Sequence, residues 1–513
     1  MRNAIAAPSL VLMCAAATLA RAAAGDPGPS KSPAGEVWPT RGWTTSTPEA
    51  QGLDSGPLAD ALDFVREHHV PIHSLLIERN GAIVLDAYFF PFSDHQVHDL
   101  ASATKSVTST LVGMLIGAGK LSGADQPVLP LFQDEAPRSP DPRRAAIRIG
   151  DLLDMSSGIE CDYGHGERTL EAMMRSPHWA RFMLNLPMVA DPGSTFAYSS
   201  GGMHLLSAVV TKVTGRSALD VARSGLFAPL GIAVSEWPSD ADGVSHGWGD
   251  LHLQPRDMAK LGYLWLHHGA WGGRQLVPAG YLDSAAKVHS RAPWGDRYGY
   301  GFWVYPDRTP PIYEANGRGG QRISVIPSKN MVVVFTGGGF EPGDEGAFIL
   351  KALKNDAPLP ANPEGDARLA AAVAAAAAPG TARAPAPLPP LAARISGRLY
   401  RLDDNPFDLR SVAFSLQDAG GASVRFVFRD GRVEEDAIGL GGVPRLTPGG
   451  AGRPVAVEGR WERDALDLEY DRVSDINAYT LRFASSGRDV AIRATMRAQT
   501  GELDVSFLGH GPN

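Results

Sequence analysis

Between Asp356 and Ala393 the chain carries 16 Ala and 8 Pro in 38 positions, and this break divides it into two parts with different folding rules. Such a stretch has few large apolar side chains to bury. Its Pro-rich end, residues 384–390 (APAPLPP), favours extended backbone, so 356–393 reads as a linker in which Leu369–Ala378 can form a short helix. Beyond it, residues 394–513 show alternating runs such as Val424–Phe428 and Ala465–Tyr470 and turn pairs such as Asp430-Gly431. That period of two predicts a separate all-β domain, with Phe426, Phe428, Trp461, Leu466, Leu468, Leu481 and Phe483 on its apolar face.

Residues 25–355 mix periods. His73–Arg79 and Ala82–Phe89 are apolar runs joined by Asn80-Gly81, a strong two-residue hairpin signal. Helical patterns follow at Lys105–Gly117, at Leu205–Val213 and at Arg256–His267 behind Pro255, which suits a first helical turn. A second strand pair, Arg322–Ile326 and Met331–Thr336, closes the segment. Strands at both ends with helices between predict one sheet closed by the two ends of the segment, with a helical insertion in the middle.

Hydrophobic residues make up 44% and charged residues 20% of the 513, ordinary soluble usage, and the net charge of −8 offers no basic surface for nucleic acid. In residues 1–24, Arg2 precedes an uncharged Ala/Leu/Val-rich stretch and the small-residue run Ala22–Ala24, the shape of a signal peptide. The expectation is a bacterial chain exported to the periplasm or secreted, with no membrane span after cleavage. Cys14 lies in that segment, where lipidation is a lesser alternative, and Cys161 is left alone, so no disulfide framework is available.

The chemistry gathers at three places. Ser102-Ala103-Thr104-Lys105 opens the first helical run, and residues three apart on a helix share a face, so the Lys amine can reach the Ser hydroxyl. A Ser needs such a base to become a nucleophile, and the amine accepts a proton only when burial or neighbours favour its neutral form. Tyr198-Ser199-Ser200 follows a loop and precedes an apolar helix, where a Tyr hydroxyl can pass a proton to a leaving group. Asn316-Gly317-Arg318-Gly319-Gly320-Gln321 precedes a strand, where glycines allow backbone N–H groups close to a developing oxyanion. Ser284-Ala285-Ala286-Lys287 repeats the first spacing without this context. Gly243-Val244-Ser245-His246-Gly247 matches a GxSxG elbow, but the polar residues before it supply no buried strand. The pairs His68-His69 and His267-His268 are adjacent, not four apart, and cannot face one metal from a helix.

These three boxes, in this order, resemble those of the serine β-lactamase and penicillin-binding-protein superfamily over roughly residues 45–350. The text around Ser102–Thr110 and Gly317–Gln321 is more similar to the 6-aminohexanoate-dimer (nylon oligomer) hydrolase branch. The resemblance implies a cofactor-free serine hydrolase with an α/β (α+β) catalytic domain, an antiparallel sheet flanked by helices plus a helical subdomain, and a site between the two. It makes Ser102 the acyl-forming nucleophile, Lys105 the base and Tyr198 the proton donor to the leaving group. Ser200, Asn316, Gly317, Arg318 and Gly319 are then substrate or oxyanion positions. The Lys-Thr-Gly of the third box is absent, and Ala315, Asn316 and Gly317 stand near its place, with Arg318 as a candidate replacement charge. This turns the expectation toward small linear amides or esters. Carboxylesterase, β-lactamase and D-Ala-D-Ala peptidase activities, or a non-catalytic penicillin-binding sensor, stay open.

Overall fold

The Asn80-Gly81 pair forms the expected hairpin. Both residues have positive φ (54° and 84°), the demand of a type I′ turn, and Arg79 pairs directly with Ala82. The computed structural model describes residues 38–512 apart from 136–140, 166, 234, 342, 384–386, 417–419, 450–452 and 498–502. The signal-peptide reading of residues 1–24, with Cys14, lies outside the described residues.

Nine strands make the first sheet: β1 (Thr44–Thr45), β2 (Ile72–Arg79), β3 (Ala82–Tyr88), β4 (Ser290–Arg291), β5 (Arg297–Tyr298), β6 (Trp303–Tyr305), β7 (Ile312–Gly317), β8 (Gln321–Ile326) and β9 (Met331–Gly337). Their order is β1-β3-β2-β9-β8-β7-β6-β5-β4. β9 pairs antiparallel with β2, from Met331↔Arg79 to Phe335↔Leu75, so the two ends of the domain meet in one sheet. Only the two-residue β1 runs parallel to its neighbour, which makes the sheet mixed at its edge.

Alternation along the strands serves two cores. Leu76, Ile323, Val325, Val332 and Val334 face one, packed by α2 (Thr104–Gly117), α3 (Ser200–Thr214) and α4 (Pro255–Leu266). Leu75, Ile77, Met331, Val333 and Phe335 face the other, covered by α1 (Ser55–Glu67), α5 (Asp344–Ala352) and α6 (Pro363–Ala377). The chain between α2 and α4 supplies the helical subdomain.

α6 contains most of the short helix expected at Leu369–Ala378, but it starts earlier, at Pro363, and packs against α1 where a linker was expected. Alanine has the highest helix propensity, and Leu369, Ala372 and Ala376 form a buried stripe at helical spacing against α1. Small methyls let the two helices close up, so burial comes from proximity rather than from large side chains. Asn362 caps the helix by accepting from the Gly365 N–H at 3.0 Å. A chain ending at Asn355 should therefore be less stable than one ending at Ala378 by about 3 kcal/mol, the burial value of one Leu and two Ala side chains. Equal melting temperatures would contradict this packing.

After α7 (Pro390–Ile395) come ten strands: β10 (Leu399–Leu402), β11 (Leu409–Ser415), β12 (Ser423–Phe428), β13 (Val433–Ala437), β14 (Arg445–Thr447), β15 (Val455–Glu462), β16 (Ala465–Arg472), β17 (Ala478–Ser486), β18 (Asp489–Arg497) and β19 (Asp504–His510). They form a second sheet, ordered β13-β12-β11-β10-β19-β18-β17-β16-β15-β14, that nearly closes on itself. Its two edges approach where the Ala437 N–H donates to Thr447 Oγ1 at 2.8 Å. Phe426, Phe428, Leu466, Leu468, Leu481 and Phe483 are buried in its own core, with Trp461 partly buried beside them. Among the described residues no helix is long and apolar enough to cross a membrane.

Candidate active site

Ser102 sits in a 3₁₀ turn, Ala101–Ala103, that feeds directly into α2. The residue before it, Ala101, has φ 44°, a left-handed conformation that an Ala adopts only when its surroundings hold it there. Here the holder is Asp99, whose Oδ1 accepts from the Ala101 N–H at 2.7 Å. Burial pushes the Asp99 carboxyl above its usual range.

Lys105, on the first turn of α2, is 1% exposed. Its Nζ lies 3.0 Å from Ser102 Oγ, 3.2 Å from Ser200 Oγ and 3.2 Å from the Trp248 carbonyl oxygen. Ser200, at the start of α3, donates its hydroxyl to Glu167 Oε2 at 2.9 Å, while its N–H donates to Glu167 Oε1 at 2.6 Å. The carboxylate thus sits at a helix N-terminus, where the dipole favours it. Glu167 is itself strained, with φ 57°. With its proton committed to Glu167, Ser200 can only accept from Lys105, and so can the Trp248 carbonyl. The remaining partner, the Ser102 hydroxyl, is the one able to donate. A neutral Lys105 amine that satisfies the first two therefore aims its lone pair at Ser102.

The Tyr198 ring lies over this amine, with 4.6 Å from Nζ to its centroid, and stacks on Trp303 at 6.0 Å. Among the described residues no hydrogen bond joins the Tyr198 hydroxyl to Ser102 or Lys105, so contact is through the ring face.

The third box ends β7. A Cβ on Gly317 would fall 2.3 Å from the Leu100 carbonyl oxygen, so only glycine lets this strand reach the Ser102 turn. Asn316 is less free than expected: its Oδ1 accepts from the Arg322 guanidinium, which also donates to the Gly317 carbonyl at 3.1 Å. Arg318 reaches the cleft, but it donates to Asn477 Oδ1 at 2.8 Å and stands 3.9 Å from Asp99. Gly319 has φ 79° and packs against Ile476 instead of facing the cleft.

These groups border a cleft of about 1050 Å³. Ser102, Glu167, Tyr198, Ser200, Asn316 and Arg318 line its inner part, Lys105 lies beneath, and Tyr163, Trp294 and Trp303 form an aromatic wall. Tyr163 and Trp294 stack at 5.4 Å. The lining also carries Arg308, Glu314, Arg322 and Glu341.

The rival motifs lie elsewhere. Ser245 is 1% exposed, and its hydroxyl accepts from the Leu219 N–H at 3.1 Å, a structural contact. Ser284 contacts His289 at a helix end. Glu167, Asp99, Asn477 and the Trp248 carbonyl escaped the sequence reading. Asp99, placed just before a helical run, fits a capping pattern and was the most findable of them. Trp248 adjoins the discarded GxSxG stretch.

Residues 49–355 match the family described as Beta-lactamase. Over 237 residues the chain is 25% identical to the 6-aminohexanoate-dimer hydrolase of Paenarthrobacter ureafaciens, which covers 44% of this chain and 59% of that protein. Over 123 residues it is 36% identical to a probable fimbrial assembly protein FimD, serogroup H1, of Dichelobacter nodosus, covering 24% of this chain and 30% of that one. The chain thus spans less than two thirds of either relative. A solved Bacillus anthracis structure, provisionally described as a 6-aminohexanoate-dimer hydrolase, shares the fold with a TM-score of 0.50 at 18% identity, over 61% of this chain and 85% of that one. With the family match extending over more than half of its residues, the chain belongs to the beta-lactamase family, whose members are generally serine hydrolases.

Proposed function

We propose that this chain hydrolyses a small amide or ester through an acyl-enzyme on Ser102. The observation that carries the reading is the buried Lys105 amine 3.0 Å from Ser102 Oγ, with its other two partners restricted to accepting. In acylation the Ser102 proton passes to Lys105 Nζ, Oγ bonds the substrate carbonyl carbon, and the oxyanion meets backbone N–H groups of Ser102 and of the turn after Gly317. As the carbon–leaving-group bond breaks, Tyr198 Oη gives its proton to the departing amine or alcohol and takes the proton held on Lys105 Nζ, which leaves the amine neutral again. Water attacks the ester carbon and gives its proton to Lys105, which passes it to Ser102 Oγ as the Oγ–carbon bond breaks, freeing Ser102 and the acid.

Glu167 acts one step removed, by keeping the Ser200 hydrogen away from Lys105. In Glu167→Gln an amide N–H can donate to Ser200 Oγ, so the Ser200 hydroxyl turns to Lys105 and competes with Ser102 for its lone pair. Acylation should fall about tenfold to a hundredfold, the scale of a hydrogen bond to a charged group. An unchanged pre-steady-state acylation rate would remove Glu167 from this role.

For substrate, the sharpest reading is a linear amide of the 6-aminohexanoate-oligomer type. Its support is the relative of that name, the missing Lys-Thr-Gly, and an aromatic wall beside Ser102 suited to a methylene chain. Export, from Arg2–Ala24, belongs to the same proposal. A panel of 6-aminohexanoate dimer, a short-chain p-nitrophenyl ester, a D-Ala-D-Ala peptide and nitrocefin tests the substrate class. The dimer or the ester should give the highest kcat/KM, and a clear lead for nitrocefin would overturn the argument from the third box.

A further inference from the structure

The connection between β16 and β17, residues 473–477, belongs to the C-terminal sheet by sequence but is buried against the first domain. Val473, Ser474 and Ile476 are at most 2% exposed. The Ser474 carbonyl accepts from the Asp99 N–H at 2.9 Å. Ile476 Cγ2 fills the space where a Gly319 Cβ would lie, 2.3 Å away, so this loop adds a steric demand for glycine to the one its φ of 79° already makes. Asp475 stands 3.8 Å from His252, the residue paired with Asp99 in a two-residue ladder, and 3.6 Å from Arg453. Asn477 accepts from Arg318 at 2.8 Å.

Both flanks of the nucleophile therefore rest on one loop. On one side Asp99 is tied to Ser474 and in turn holds the strained Ala101 immediately before Ser102. On the other, Arg318 continues the strand that lies against the Ser102 turn. Asp99 is shared between these duties. Its carboxylate holds the Ala101 N–H, and the Arg318 guanidinium is only 3.9 Å away. Asn477 offers that guanidinium another acceptor. Without it, Asp99 Oδ2 is the acceptor left close to the guanidinium, and a cation closing on it draws on the carboxylate whose Oδ1 holds the Ala101 N–H.

We propose that Asn477 is a positioning residue for acylation, acting through Arg318 and Asp99, so that the C-terminal β domain is a working part of the active centre. The proposal rests on Ser102 being the nucleophile. Asn477 is only partly buried, and its side chain is not part of either core, so it can be exchanged without opening the fold.

The test measures the rate of covalent labelling by a fluorophosphonate in full-length wild type, Asn477→Ala and Asn477→Asp, with melting temperatures for each and Ser102→Ala as the unlabelled control. Asn477→Ala should label about tenfold more slowly, mainly in the first-order step, at an unchanged melting temperature. Asn477→Asp keeps the acceptor oxygen and should recover most of the rate. Labelling of Asn477→Ala at the wild-type rate would overturn the proposal. So would a slow Asn477→Ala whose melting temperature drops and whose rate the Asp variant does not recover, since that is a packing role. Wild type that fails to label at Ser102 would overturn the nucleophile assignment itself, and this proposal with it.

Discussion

Ser102→Ala should lower turnover roughly 10⁴- to 10⁶-fold, the scale seen when an acyl-forming nucleophile is removed. The loss is large because Lys105, Ser200 and Glu167 are arranged around the one hydroxyl that can donate to the amine, and with it gone they have nothing to activate. The fold should be unaffected. The Ser102 side chain is only partly buried, and its turn is held by backbone bonds and by Asp99, none of which involve the hydroxyl. Steady-state kcat on the best substrate of the panel checks this, with a melting curve to confirm folding. Activity near wild type would place the chemistry on another residue.

Lys105→Arg should cost about 10³-fold, nearly as much as Lys105→Ala, because a guanidinium keeps its protons and cannot serve as general base. The site makes this a sharp comparison. Lys105 is 1% exposed and its amine meets three oxygen partners, each of which can also accept from a guanidinium N–H, so Arg keeps the charge and its bonds but not the base. Were the residue needed only as a positive charge, Arg would keep most of the activity. The kcat/KM ratio of the two variants decides between base and charge.

What was legible in the sequence was local. The hairpin at Asn80-Gly81 announces itself because the turn needs two residues that tolerate positive φ. The meeting of Ser102 and Lys105 follows from helix geometry over three residues. The period of two beyond residue 394 announces a sheet because each strand buries one face. What escaped is either distant or unpatterned. Glu167 meets Ser200 across 33 residues from an irregular turn, and Asn477 meets Arg318 across 159 residues and from the other sheet, so nothing near either position points to its partner. The packing of α6, unlike its helical tendency at Leu369–Ala378, was hidden for a different reason. Its buried stripe is mostly alanine in a segment that is alanine throughout, so composition masks the helical period that packing uses.

The acyl-enzyme on Ser102 is tested by mixing the protein with a fluorophosphonate, or with a slowly released ester, quenching in acid, and weighing the intact protein before mapping the modified peptide. One added group per chain is expected, located on Ser102, and none on the Ser102→Ala variant. An adduct on Ser245 or another residue, or full turnover with no covalent species in wild type, would contradict it.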